Sequence, residues 1–284
     1  MPRTRQFGIS THLFHGDRLN REHLIAVGAQ GFEGVEVFAT RSHVDYHNPA
    51  VVADLQAWLA DARLDLVSVH APVAESLTNG RWGPAFTLAS SDAEVRARAL
   101  AEAEQALQIA RRIRFAVFVV HLGIPRMQGP SPTDNSRDGA RRSVEALQRL
   151  AEPLGVRIAV EVIPNELSRA GSLVDFVEDV VEASGIGICL DFGHAHMDGD
   201  VVEAIETVSE HLIATHVHDN RGRNDDHLLP FEGSIDWPAA LTTLQKVGYD
   251  GTVMLEVAAH GSEKDTLRKA AAVRQRMEPL LTDW

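Results

Sequence analysis

Four short apolar runs in the second half of the chain carry, at or near their ends, a side chain that can bind a metal ion. These side chains are Glu161, Asp191, His216 and Glu256. Carboxylate oxygens and imidazole nitrogens together suit divalent Zn, Mn, Fe or Co. Gathering carboxylates in a half-buried place is costly without a cation, because like charges repel and burial penalises each one. The pattern therefore predicts a divalent metal site.

Histidines and acids also stand at the ends of the other apolar runs, where most of the 14 histidines of the chain lie. The residues concerned are His12, His15, Glu36, His70, His121, His194, His196, His218, Asp219, Asp225 and His227. A lone histidine at such a place is usually structural, but so many together favour a shared site. We expect His218, which alternates with His216, to face away or to lie behind the ligands, and Asp219 to cap a turn. No role is predicted for His23, His43, His47 and His211, which are expected on the surface or in helices.

Eight short apolar runs alternate along the chain with eight longer amphipathic stretches. The runs, predicted as strands, cover residues 7–13, 34–38, 64–69, 115–120, 156–163, 186–190, 212–217 and 252–257. The stretches, predicted as helices, cover residues 18–28, 49–62, 91–112, 136–154, 171–184, 199–209, 235–247 and 264–281. Strict alternation of this kind predicts an α/β fold, a (β/α)8 TIM barrel formed by a single domain over residues 1–284. The carboxyl ends of its strands would meet at one face and bring the metal-binding side chains together.

Composition narrows the classes of function. The chain has 40 acidic and 27 basic residues and a net charge of −13, which disfavours nucleic acid as a partner because phosphate contacts need clustered Lys and Arg. No apolar run approaches the roughly 20 residues of a membrane-spanning helix, and the first residues lack the apolar segment of a secretory signal. The single Cys189 excludes an internal disulfide and is expected to be a buried strand residue. We expect a cytoplasmic protein without membrane partners.

A nucleotide-binding open sheet is the alternative arrangement of alternating strands and helices. Neither G-x-G-x-x-G nor G-x-x-x-x-G-K-[ST] occurs in the sequence, so this alternative has no phosphate-binding motif to support it. The loop over residues 123–139, which follows the fourth predicted strand and contains three prolines, is expected to form a lid over the site.

The motifs at the predicted strand ends resemble those of the xylose isomerase-like TIM barrels, a superfamily of sugar isomerases and epimerases, inosose dehydratases and endonuclease IV. The resemblance runs from about Phe7 to the last helix. It is carried by Val35-Glu-Val-Phe38, Ser68-Val-His70-Ala-Pro72, Val120-His121-Leu-Gly123, Val160-Glu161, Leu190-Asp191-Phe-Gly-His194, His216-Val-His-Asp-Asn220, Asp225-Asp-His227 and Leu255-Glu256.

The resemblance to the sugar enzymes of this superfamily implies roles for single residues. One Mn, Co or similar ion would be held by Glu161, Asp191, His216 and Glu256; His216 is chosen over His218 because the family's ligand lies three residues before an acid, here Asp219. The two glutamates would also move protons on and off the sugar carbon, through an enediolate that the metal stabilises. The residues expected to contact the substrate are His194, Glu166, Arg221 and Arg223.

The resemblance to endonuclease IV implies a larger metal centre, with up to three zinc ions. Its nine ligands match His70, His121, Glu161, Asp191, His194, His216, Asp225, His227 and Glu256, so that His70, His121, His194, Asp225 and His227 are possible additional ligands. The loops after the second and third strands carry few basic residues, however, and are more typical of the walls of a small polar pocket.

We therefore predict a metal-dependent isomerase or epimerase whose partner is a small keto-sugar, polyol or sugar phosphate, with one to three ions per chain. A multinuclear-metal phosphodiesterase acting on abasic DNA, a dehydratase of a keto-polyol or inosose, and a non-catalytic sugar-binding barrel are the alternatives. Relatives that form dimers or tetramers make a homo-oligomer a further expectation.

Overall fold

The computed structural model describes residues 6–78, 80–180 and 185–281, and its centre is a closed barrel of eight parallel strands. The strands are β1 Phe7–Ser10, β2 Gly34–Phe38, β3 Asp65–His70, β4 Val117–Val120, β5 Arg157–Glu161, β6 Ile186–Asp191, β7 Leu212–Val217 and β8 Val253–Leu255. Each strand pairs with the next one along the chain, and β8 pairs with β1 to close the barrel. This confirms the single-domain TIM barrel predicted from the alternation of elements.

Helices surround the barrel and follow the predicted stretches closely. They are α1 Arg21–Ala29, α2 Pro49–Ala62, α3 Ala93–Leu107, α4 Arg137–Ala151, α5 Ala170–Val180, α6 Phe192–Asp198, α7 Val201–Val208, α8 Trp237–Lys246 and α9 Glu263–Met277. Short 3-10 helices cover Thr11–Phe14, Gln108–Arg111, Arg126–Gln128, Glu152–Leu154, Ser209–His211 and Glu278–Leu280. The predicted continuation of the fifth helix over residues 181–184 lies outside the described residues. Within the described ranges no helix has both the length and the apolarity to cross a membrane.

Three elements near the site differ from the prediction. The short helix α6, Phe192–Asp198, lies between the predicted strand over residues 186–190 and the predicted helix over residues 199–209, where no helix was predicted. The first strand ends at Ser10 rather than residue 13, and Thr11–Phe14 turn into a 3-10 helix. The turn is held by side chains, since Ser10 Oγ accepts a bond from the His12 amide and Thr11 Oγ1 accepts one from the Phe38 amide. A hairpin pairing Leu77–Thr78 with Arg81–Trp82 follows β3, where no strand was predicted.

Two layers of apolar side chains support the strands. The larger cluster lies between barrel and helices and includes Phe118, Phe176 and Trp237. A small separate cluster contains Val117, Val119, Ala159 and Cys189. Side chains alternate between the faces of a strand, so Ala159 and Cys189 share the inner face with Glu161 and Asp191, two residues further along. The small cluster therefore lies inside the barrel directly below the polar site. The expected burial of Cys189 is confirmed.

Candidate metal centre and cavity

The carboxyl ends of β5, β6 and β7 and the residue after β8 bring four predicted ligands together. Glu161, Asp191 and His216 occupy their strands, and Glu256 directly follows Leu255. The strand register places Asp191 beside His216. One ligand atom from each residue can be chosen so that all four lie within 4.8 Å of one another, and all four side chains are buried. The predicted set is thus a compact group of three carboxylates and one imidazole.

This group fits a divalent cation. His216 Nδ1 lies 3.0 Å from Glu161 Oε1 and 3.5 Å from Glu256 Oε2, so its ring faces the carboxylates. Asp191 Oδ2 and Glu256 Oε1 are buried and have no hydrogen-bond partner within the described part of the chain. Buried carboxylate oxygens without partners are costly, and a cation between them would remove that cost. The oxygen-rich set with one nitrogen matches the chemistry of Mn, Zn, Co or Fe.

Glu36 fixes the orientation of His216. Its Oε2 accepts bonds from His216 Nε2 at 3.0 Å and from Ser68 Oγ at 2.7 Å. Burial would raise the pKa of Glu36, but the nearby imidazoles of His216 and His70 outweigh burial and lower it. A carboxylate can only accept, so Nε2 donates a proton to Glu36. Without an ion Nδ1 likewise donates to Glu161 Oε1, and Nδ1 is the nitrogen that would lose its proton and bind a metal. An outer carboxylate of this kind commonly orients a metal-binding histidine.

Two more predicted residues surround Glu161. His70 Nε2 and His121 Nε2 each lie 3.0 Å from Glu161 Oε2. His70 Nδ1 donates to the carbonyl of Ala71 at 2.7 Å, which fixes its ring. Burial opposes ionisation of Glu161, but His216 and His121 hold its pKa well below the usual value. His70, His121 and Glu161 form a second group with metal-binding geometry.

A third group contains His194, His218, Asp225 and His227. Asp225 Oδ2 lies 3.1 Å from His194 Nε2 and 3.3 Å from His227 Nε2. Burial would lower the pKa of His227, but the Asp225 carboxylate raises it to about 10. His218 is fully buried, and its ring stacks on that of His227 with centroids 3.9 Å apart. Its Nε2 is 3.0 Å from Asp191 Oδ1, so the structure brings His218 next to a ligand of the first group.

Gly193 makes room for the His218 ring. Asp191 caps the start of α6 by accepting a bond from the His194 amide, so Gly193 packs against the end of β7. A Cβ atom at Gly193 would lie 2.0 Å from His218 Cε1. The sequence Asp191-Phe-Gly-His194 therefore supplies a predicted ligand, a helix cap and the space for a neighbouring ring.

Asp219 holds the loop that carries Asp225 and His227. Its carboxylate accepts bonds from the amides of Asn220, Phe231 and Ile235 and from Trp237 Nε1. These bonds tie the two ends of the loop together at its base, so Asp219 does more than cap a turn.

A cavity of about 410 Å³ opens next to the three groups. Its wall includes Glu256, His194, Asp225 and His227, whereas Glu161, Asp191 and His216 lie deeper. His12, His15, Phe38, Trp82 and Phe86 form an aromatic part of the wall. The loop after β4 contributes Gly123, Ile124, Pro125 and Gln128, so the segment expected to be a lid does border the cavity.

Three residues predicted to contact a substrate lie elsewhere. The side chain of Glu166 is 79% exposed and pairs with Arg169. Arg221 is exposed and donates to the carbonyl of Glu232, and Arg223 is exposed as well. None of the three borders the cavity, and the expectation for them is corrected. The reason is local. Glu166 forms an ion pair with Arg169, three residues along the chain, and the two arginines lie on the exposed part of the loop that follows Asp219.

One histidine without a predicted role is also placed differently. His43, expected on the surface or in a helix, is fully buried. Its Nδ1 donates to the carbonyl of Asp17 at 2.6 Å, and His43 belongs to none of the three groups described above.

The fold and the ligand groups define a class of protein. The chain belongs to the family of xylose isomerase-like TIM barrels, whose family model matches residues 25–277. L-ribulose-5-phosphate 3-epimerase UlaE of Salmonella paratyphi A is 25% identical over 230 residues, which cover 78% of this chain and 79% of that protein. An inosose isomerase of Bacillus licheniformis is 30% identical over 131 residues, which cover 40% of this chain and 46% of that protein.

Solved structures show the same fold. A D-tagatose 3-epimerase-like protein superposes with a TM-score of 0.79 at 23% identity, covering 97% of this chain and 98% of the other. The IolI protein with a bound zinc atom superposes with a TM-score of 0.74 at 17% identity, covering 97% and 98%.

Proposed function

We propose that this chain is a metal-dependent isomerase or epimerase of a keto-sugar or related polyol. The observation that carries the proposal is the compact group formed by Glu161, Asp191, His216 and Glu256 beside a cavity of small-molecule size. These four residues would hold the ion, and the zinc in the IolI structure supports a metal in a barrel of this family. The activities of the named relatives support the reaction class.

A bound ion would polarise a substrate carbonyl and stabilise the negative charge of the enediolate. The chain's own carboxylates would move the proton at the neighbouring carbon. Glu256 borders the cavity, so its carboxylate is placed to take that proton or to return it. Glu161, the second proposed proton carrier, lies deeper, with His70 and His121 against one of its oxygens.

His194 borders the cavity, where it was expected to contact a substrate, but both of its ring nitrogens already have acceptors in this chain. Its Nδ1 lies 3.1 Å from the carbonyl of Val162 and its Nε2 3.1 Å from Asp225 Oδ2. Both partners can only accept, so both ring nitrogens carry protons. Burial opposes this charge, but Asp191 and Asp225 raise the pKa of His194 well above its usual value.

Solvent-deuterium exchange tests the proposal. Metal-loaded protein would be incubated in D2O with a panel of ketoses, and the signal of the proton next to the carbonyl would be followed by NMR. Exchange is expected with the parent protein and is expected to disappear in Glu256→Gln. Glu206→Gln on the exposed face of α7 is the matched control and should exchange normally.

Glu161→Gln separates two roles of the deeper carboxylate. Loss of exchange with metal retained would support its action on the substrate, whereas loss of both would support metal binding alone. If Glu161→Gln and Glu256→Gln both keep full activity on a true substrate, the proposed mechanism is wrong.

A multinuclear phosphodiesterase is the second candidate, because all nine predicted ligands fall into groups with metal-binding geometry. Cleavage of a duplex with an abasic site, lost in His70→Asn and His227→Asn, would favour it. A dehydratase would use the same carboxylates and would be recognised by loss of water from the substrate rather than by a change of configuration.

A further inference from the structure

We infer that the cavity binds an uncharged polyhydroxy substrate, not a sugar phosphate, and that the indole of Trp82 packs against its carbon chain. This inference rests on the proposed function, and it narrows the substrate class that the sequence leaves open. Three observations support it: the charges of the cavity wall, the positions of the nearby arginines and the aromatic side of the wall.

Apart from the proposed ion, the described wall of the cavity offers a phosphate no Arg or Lys side chain. Outside the four-residue group proposed to hold that ion, Asp225 and Asp226 contribute carboxylates. His194 and His227 both lie within 3.3 Å of the Asp225 carboxylate, which takes up the charge of either ring. A phosphate would therefore meet like charges in a partly desolvated place, and each would raise the free energy of binding.

The usual phosphate position of a TIM barrel is also acidic here. Barrels that bind phosphate frequently do so with the loops after the seventh and eighth strands. In this chain the loop after β7 presents Asp225 and Asp226 to the cavity, and the loop after β8 presents Ala258 and His260. The position that would hold a phosphate therefore carries two carboxylates.

Arginines near the cavity do not contribute to its wall. Arg126, next to the wall residue Pro125, places its guanidinium 2.5 Å from Asp198. Arg221 binds the carbonyl of Glu232. Arg81 precedes Trp82 in the hairpin, where neighbouring side chains point to opposite faces. None of the three borders the cavity.

Trp82 presents an apolar surface suited to a sugar. Its side chain is one of the two large apolar side chains that stay exposed among the described residues, at 45%. The indole lies parallel to the His15 ring, with centroids 5.7 Å apart, and 6.2 Å from the Phe38 ring. The C–H face of a sugar is apolar, while its hydroxyls need polar partners. A wall with aromatic rings on one side and carboxylates on the other matches both requirements.

The hairpin fixes the position of the indole. Trp82 pairs with Leu77, and the amide of Gly83 donates to the carbonyl of Ser76 at 2.8 Å. Holding the ring in place before binding reduces the entropy lost when a substrate packs against it.

Matched pairs of ligands test the inference. Metal-loaded protein would be titrated with D-fructose and D-fructose 6-phosphate, and with D-ribulose and D-ribulose 5-phosphate, by calorimetry and by tryptophan fluorescence. The neutral member of a pair is expected to bind at least about tenfold more tightly, equivalent to about 1.4 kcal/mol. Trp82→Ala should weaken that binding about tenfold and remove the fluorescence response, and Trp82→Phe should retain most of the affinity. Trp58→Phe on α2, outside the cavity, is the control.

Each outcome decides a different statement. Tighter binding of the phosphorylated members would overturn the inference and leave the isomerase proposal standing. Unchanged affinity in Trp82→Ala would overturn the role of the indole. Proton exchange with neither member of any pair would contradict the proposed function itself, and the substrate class would fall with it.

Discussion

His216 Nε2 lies 3.0 Å from Glu36 Oε2, although the two residues are 180 positions apart in the sequence. Both side chains are buried, His216 near the carboxyl end of β7 and Glu36 in the middle of β2. The bond occupies Nε2, so Nδ1 is the nitrogen that faces Glu161 and Glu256, at 3.0 and 3.5 Å. A carboxylate outside the ligand group thus determines which atom of His216 can bind a metal.

Glu36→Gln is expected to weaken metal binding about 10- to 100-fold, which is the usual cost of losing an outer partner of a ligand. The neutral amide of glutamine would accept a weaker hydrogen bond from His216 Nε2 than the carboxylate of Glu36 does. Competition with a coloured chelator would measure the dissociation constant. Glu206→Gln is the control for the same chemical change on the surface, and equal affinity in both variants would exclude the role assigned to Glu36.

Gly193→Ala is expected to lower stability by about 1–3 kcal/mol, the usual range for overpacking a core. The new Cβ would lie 2.0 Å from His218 Cε1, and either the ring or α6 must move. Urea unfolding would measure the change.

A second glycine and a double variant make this test specific. Gly171→Ala in α5 meets no atom within 4 Å and should leave stability unchanged or raise it, because alanine favours a helix. Adding His218→Ala to Gly193→Ala should restore part of the loss. Strict additivity of the two substitutions would show that the ring and the glycine do not interact.

The barrel could be predicted from the sequence, because parallel strands that are buried on both faces produce continuous apolar runs. Polar side chains follow these runs at the carboxyl ends of the strands. The grouping of the four proposed ligands could be predicted for the same reason, since Glu161, Asp191, His216 and Glu256 lie at or near the ends of four such runs. Closure of the barrel then brings one possible ligand atom of each within 4.8 Å of the others.

Contacts between side chains on distant strands could not be predicted from the sequence in this way. Glu36 reads as one more acid at a strand end, and only the closure of the barrel brings it to His216. His218 follows the last residue of β7, so strand alternation no longer predicts its direction, and it packs over Gly193 instead. Trp82 lies in a hairpin whose strands are two residues long, too short for a periodic pattern.

His43 makes the stability of the protein sensitive to mild acid. Burial, which Asp17 only partly offsets, lowers its pKa to about 4, and His15 and His23 add to the lowering. The unfolded chain takes up this proton near pH 6.5 and the folded one near pH 4. The stabilising contribution is therefore complete above pH 6.5 and falls as the pH drops towards 4, by at most about 3 kcal/mol at about 1.4 kcal/mol per pH unit.

His43→Asn removes the titrating group and keeps a donor for the carbonyl of Asp17. Unfolding free energies measured from pH 4 to pH 7 should therefore depend less steeply on pH in this variant than in the parent. Parallel curves for the two proteins would show that His43 titrates alike in the folded and unfolded chains.

Elemental analysis of the purified protein, with Asp191→Asn beside it, tests the metal centre most directly. The account predicts about one Mn, Zn, Co or Fe ion per chain in the parent, as expected for a single four-ligand site. The same ion should be largely lost in Asp191→Asn, while Glu206→Gln retains it. Two or three zinc ions per chain would instead favour the multinuclear phosphodiesterase. A parent protein that binds no divalent ion at all would contradict the account.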